Sequence, residues 1–157
     1  MADQPTQEQI AQWHRWFAIE CNNRAWSLAA QTARTPDDDR EMRDSAHAAA
    51  YHWGKIGAPI NTARADVALA HVYALLGDGA HALQSARQSL DFFTQNESAD
   101  WDIAFAHAEM AFAAAVNRDA ALHAHHYTRA RELGAAIKQD ADRKIFLDEL
   151  AKIPSQV

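Results

Sequence analysis

The chain has 157 residues, 48% hydrophobic and 23% charged, so it can bury one real core and is too apolar to be disordered. Its formal net charge of -6 at pH 7 supplies no basic stripe for nucleic acid, and no apolar run approaches the ~18 residues of a membrane span. Cys21 is the single cysteine and the start MADQPTQEQ lacks the order of a signal peptide, which together point to a cytoplasmic domain without disulfides.

Caps and apolar spacing predict seven helices over residues 6–153, with 1–5 and 154–157 as flexible termini. Thr6 and Gln9 form a capping box that opens a helix running to about Thr32. One stripe of that helix carries Ile10, Trp13, Phe17, Cys21 and Leu28, and another carries Trp16, Ile19, Trp26 and Ala30, so it is expected to be covered on two sides, by neighbouring helices or by a second subunit through which the chain self-associates. Thr35-Pro36-Asp37-Asp38 opens the second helix, which buries Met42, Ala46, Ala49 and Trp53 and stops at Gly54 and Gly57. Asn61 or Thr62 is expected to cap the third, and Gly77-Asp78-Gly79 turns the chain into the fourth. Ser98 or Asp100 starts the fifth. Asn117-Arg118-Asp119 leads to the sixth, and Asp140 starts a short seventh with Phe146, Leu150 and Ile153. Short connections imply antiparallel hairpins, and no strand pattern competes.

Phe105, Ala108, Phe112 and Ala121 follow Asp66, Leu69, Tyr73 and Ala82 at an offset of 39. With Leu69-Ala70 before Tyr73, Gly77-Asp78 in the turn and Ala82 on the second helix, residues 66–90 resemble a tetratricopeptide repeat. Asp66 stands where that motif has tryptophan, Ala86 where it has an aromatic residue and Thr94 where it has proline. The pieces YHW, IGAPINTARAD, VYALLG and WDIAFAHAE also resemble a set of short bacterial helical-repeat proteins, a likeness that implies fold and carries no functional residues. The resemblance implies an all-α superhelix of antiparallel hairpins. Its inner groove would be lined by Arg64, Val67, His71 and Leu75, then Ile103, Ala106 and Met110.

Phosphate loops, nucleophile elbows, Cys-x-x-Cys, His-Glu-x-x-His and Glu-x-x-His are all missing from the sequence. His47 and His52, five residues apart, point roughly 140° from each other and make a poor metal chelate. His47 shares its face with Tyr51, while His52 is expected to offset the negative end of the helix dipole. If alternate helices run parallel, His52 and Trp53 gather with Asn61, Arg64 and Asp102 at one edge, near His14, where Trp53 would floor a shallow polar pocket. Glu109 falls where the offset of 39 wants a small residue. Either the register slips and leaves it exposed, or it is buried beside His71, Asn23 or Arg24; the cost of an unpartnered buried carboxylate favours the slip. Asp119, His123 and His126 share a face of the sixth helix, a surface chelate at most, so neither metal nor cofactor is expected.

The function this implies is non-catalytic binding of a peptide, a partner helix or a second copy in the groove, with Arg64 and His71 selecting orientation. The alternative is a small-molecule or metal-dependent site at the edge, with His47 or His52 as base or ligand, Asn61 orienting and Asp102 supplying a carboxylate.

Overall fold

A computed structural model of the chain describes residues 4–157, so part of the expected N-terminal tail, residues 1–3, lies outside it. Within the described residues there are seven helices and no strand. They are α1 (Gln7–Ala29), α2 (Pro36–Ile56), α3 (Pro59–Leu75), α4 (Gly79–Gln95), α5 (Asp100–Val116), α6 (Ala120–Ala135) and α7 (Asp140–Leu150).

Local chemistry sets most of these boundaries. Thr6 and Thr35 accept from the backbone N–H groups of Gln9 and Asp38, whose side chains reach back to the cap backbone. Asp78 and Asp119 do the same duty for α4 and α6 by accepting from His81 N and Leu122 N. Four expected boundaries shift, one of them at the seventh helix, which ends at Leu150, short of Ile153. The first helix ends at Ala29, short of Thr32. The second runs through Gly54 and ends where Gly57 takes φ 77°, because Gly54 keeps helical backbone and only Gly57 adopts the left-handed form. The third is capped by neither Asn61 nor Thr62: Pro59 opens it behind Ala58, since proline at the first helical position gives up an N–H that has no partner there anyway.

The helices form hairpins whose odd members make one continuous layer. Between α1 and α2 the contacts Arg24–Glu41 and His14–His52 descend along one helix as they climb the other, so the two are antiparallel. From α3 to α5 both Arg64–Asp102 and His71–Glu109 climb together, so these two are parallel. α1 packs on α3, α3 on α5 and α5 on α7, whereas α4 lies against both α3 and α5.

Alanine makes this close packing possible. Among the described residues, eighteen of the twenty-nine buried hydrophobic side chains are alanine, so backbones approach closely and a few large groups plug the gaps. Leu28 and Met42 do so between α1, α2 and α3; Met110 does so among Ala70, Ala74, Ala82 and Ala86; Phe146 and Ile137 do so under α7. Gly134 is where Phe146 comes nearest: a Cβ there would meet the ring edge at 2.1 Å.

The α3/α4 and α5/α6 hairpins share a turn. Gly77 (φ 76°) and Arg118 (φ 58°) both take left-handed backbone just before the capping aspartates Asp78 and Asp119. Those positions are 41 residues apart, as are the starts of α3 and α5 and those of α4 and α6. The helices therefore do not follow the offset of 39. In segments so rich in alanine, shifting the comparison by two residues still aligns small with small, so sequence alone does not fix the register.

Candidate functional site

The parallel contact between α3 and α5 places two ion pairs on one ladder, each joining residues 38 apart. At its upper rung Arg64 donates through Nε and Nη2 to Asp102 Oδ1 and Oδ2, at 2.8 and 2.9 Å. Asp102 is only 1% exposed and also accepts from the Ala99 N–H at 3.1 Å, so the carboxylate is held from two sides. The Arg64 side chain is 37% exposed and lies over the Trp101 ring, 4.5 Å from its centroid. Asp102 thus fixes the fork while one face of the cation stays open to solvent.

Seven residues further along both helices, His71 Nδ1 donates to Glu109 Oε1 at 3.0 Å. Both side chains are buried, and Glu109 Oε2 has no hydrogen-bond partner among the described residues. Burial works against charge on His71, but the adjacent Glu109 carboxylate outweighs it and lifts the imidazole above its ordinary range. His71 is packed between the Trp26 and Phe112 rings, at centroid distances of 4.7 and 5.6 Å.

Above this sealed pair the odd-numbered helices leave an open cleft of about 250 Å³, lined by Asn22 and Trp26 of α1, Arg64 and Val67 of α3, and Trp101, Asp102 and Phe105 of α5. It has aromatic walls, an aliphatic floor and one rigid guanidinium. None of the lining side chains is a nucleophile beside a base, and Asp102 is committed to Arg64. The cleft offers apolar walls and one hydrogen-bond donor group, Arg64, held in place.

The expected groove residues divide. Arg64 and Val67 line the cleft, but His71 and Met110 are buried, 5% and 3% exposed, and so do not face a solvent groove. Leu75 and Ile103 are half-buried against two separate core clusters. Glu109 corrects the favoured expectation of an exposed carboxylate. The register is indeed displaced, yet the displacement carries Glu109 to His71 and keeps it buried.

The expected polar edge does not gather in one place. His52 and His14 share a hydrogen bond between their Nδ1 atoms at 2.7 Å, with Phe17 stacked on His52 and Tyr51 set edge-on to it. Burial, then the nearby His14, pushes the His52 imidazole below its ordinary value, so at pH 7 it is neutral and does not offset the dipole; Lys55 is the cation of that last turn. His47 Nε2 shares a 2.8 Å hydrogen bond with the Tyr73 hydroxyl. Asn61 makes no side-chain hydrogen bond among the described residues, and the cleft is walled by Trp26 and Trp101, not Trp53. Of the edge residues Arg64 and Asp102 meet at the cleft, while His14, Tyr51 and His52 meet one another and do not line it.

Two of the three histidines of the sixth helix are likewise spoken for. His123 Nε2 donates to the Pro154 carbonyl at 2.7 Å, and His126 shares a 2.8 Å hydrogen bond with His107. Among the described residues no three His, Cys, Asp or Glu side chains are grouped to hold a metal ion. Sequence reasoning missed the His107–His126 pair and the convergence of Trp26, Trp101 and Phe105, which belong to separate apolar stripes until α1 and α5 meet. It also missed Asp66, whose carboxyl is pushed up to about 6 by burial beside Pro59 and Phe92.

No family model, curated protein or solved structure matches this chain. Among the described residues no helix is long and apolar enough to cross a membrane.

Proposed function

We propose that this is a non-catalytic binding module whose cleft between α1, α3 and α5 anchors one apolar side chain of a peptide segment or partner helix. The observation that carries the reading is the half-exposed guanidinium of Arg64, fixed by a buried carboxylate and stacked on an aromatic wall of an open cleft. A flexible surface arginine would lose side-chain entropy on binding, whereas this one is already ordered. The cavity's size argues for a side chain over a whole ligand: about 250 Å³ falls below the ~300–1,000 Å³ of clefts that enclose a small molecule. The tetratricopeptide resemblance is in keeping with this, since it too implies a groove lined by alternate helices. A site at His47, His52, Asn61 and Asp102 has no comparable support, because those residues enter separate contacts or none.

Selection from a random-peptide display library tests the proposal. Enriched peptides should share one large apolar residue and lose at least tenfold in affinity to the Arg64→Ala and Trp101→Ala proteins. Peptides that bind both variants as well as the parent chain would place recognition elsewhere.

A further inference from the structure

The first helix presents a second surface, on a strip apart from its contacts with α2 and α3. Gln12, Trp16, Ile19 and Asn23 follow one another at intervals of four, three and four, which aligns them on one strip of α1 about 17 Å long. All four are exposed, Trp16 at 58% and Ile19 at 42%. Arg15 and Glu20 flank the strip on opposite sides. Both are exposed, and neither hydrogen-bonds or ion-pairs with another described residue. Trp13, 52% exposed, stands on the Glu20 side. Exposed tryptophans clustered on one helix make the kind of apolar patch at which proteins take up a partner.

We infer that this strip pairs with the same strip of a second copy, the two α1 helices running parallel about a two-fold axis. Charge selects both the occupant and the direction. In heptad terms Trp16 and Asn23 take the a positions, Gln12 and Ile19 the d positions, Arg15 a g position and Glu20 an e position. Parallel pairing brings Arg15 of each copy to Glu20 of the other, five residues on, and symmetry makes the contact twice. Antiparallel pairing turns like flanks toward each other, so Arg15 approaches Arg15 and Glu20 approaches Glu20. Asn23 at an a position adds a second preference, because its amide meets its own counterpart only in the parallel two-stranded register. Asn22, at the g position beside the strip, and Trp26, at its next d position, wall the cleft, so the pairing sets two clefts beside the axis. With only about two heptads the contact is smaller than a standard ~1,600 Å² interface, and the dimer is weak, with Kd on the order of 10–100 µM.

Sedimentation velocity on the full, untagged chain from about 5 to about 500 µM reads this directly. A monomer should give way to a dimer. Arg15→Glu or Glu20→Arg alone should weaken it about tenfold, and the two together should restore it. These positions are exposed, and circular dichroism will confirm that each variant keeps its helices. In a Cys21→Ala background Asn23→Cys should crosslink to itself on oxidation. A monomer at every concentration, an open polymer, a dimer indifferent to the single charge reversals, or preferential crosslinking of Gln12→Cys to Asn23→Cys would each overturn the inference.

Discussion

Two ion pairs bind α3 to α5 at the same sequence separation, seven residues apart, and the chain uses them differently. His71–Glu109 is sealed, with both partners buried and one carboxylate oxygen unsatisfied. Arg64–Asp102 is sealed on the acid side only, and its guanidinium looks into the cleft. The first pair fixes how two parallel helices meet, because any slide leaves charge buried without a partner. The second exploits that fixed register to present a cation of set position. The difference follows from residue type. A short imidazole reaches Glu109 only from inside the layer, while the longer arginine reaches Asp102 from the rim and keeps its face in water.

The largest expected effect comes from breaking the sealed pair. His71→Ala should cost about 3–5 kcal/mol in urea unfolding by leaving Glu109 buried alone, whereas replacing both residues by leucine should return most of that loss. Equal losses in the single and double variants would mean the pair has no mutual role. Arg64→Ala should cost less, about 2 kcal/mol, because water reaches the site left open beside Asp102; unlike the sealed-pair variants it should also remove peptide binding.

Titration separates the pairs further. His71 is raised above its unfolded value, so the stability it contributes is complete below pH ~6.5 and is lost as pH rises through its folded value. A double-mutant cycle should therefore give a larger His71–Glu109 coupling at pH 6 than at pH 9, while Arg64–Asp102 coupling stays level. His107 acts in the opposite sense. Burial, then the adjacent His126, lowers it to about 4, so stability tied to its neutral form is whole above pH ~6.5 and lost as pH falls toward 4. His107→Leu should flatten that acid limb without moving the alkaline one. The smallest expected effect is at Asp66. Its raised value means that stability is lost as pH climbs from the ordinary 3.8 to about 6 and stays level above, so Asp66→Asn should gain about 1 kcal/mol at pH 7 and almost nothing at pH 4. A loss on that change would show that the carboxylate has a partner.

Helix number and order were legible because caps and helical spacing are local. Thr6, Thr35, Asp78 and Asp119 each satisfy backbone donors within their own first turn, so nothing distant is needed to read them. At the start of α3 the amide of Asn61 and the hydroxyl of Thr62 look like caps, but Pro59, two residues earlier, opens the helix. Register was the harder problem. Aligned alanines look alike at offsets of 39 and 41, and two residues decide which side chain Glu109 meets. The cleft was legible only in Arg64, Val67 and Asp102. Trp26 and Trp101 look like ordinary core stripes until the odd helices are brought together.

The most direct test is a titration of the indole N–H resonances with N-acetyltryptophanamide and N-acetylleucinamide as single-side-chain probes. Trp26 and Trp101 should shift together and saturably, with the exposed Trp13 and Trp16 unmoved, and the Arg64→Ala protein should lose the response. Shifts confined to Trp13 and Trp16, or none at all in the cleft, would contradict the account.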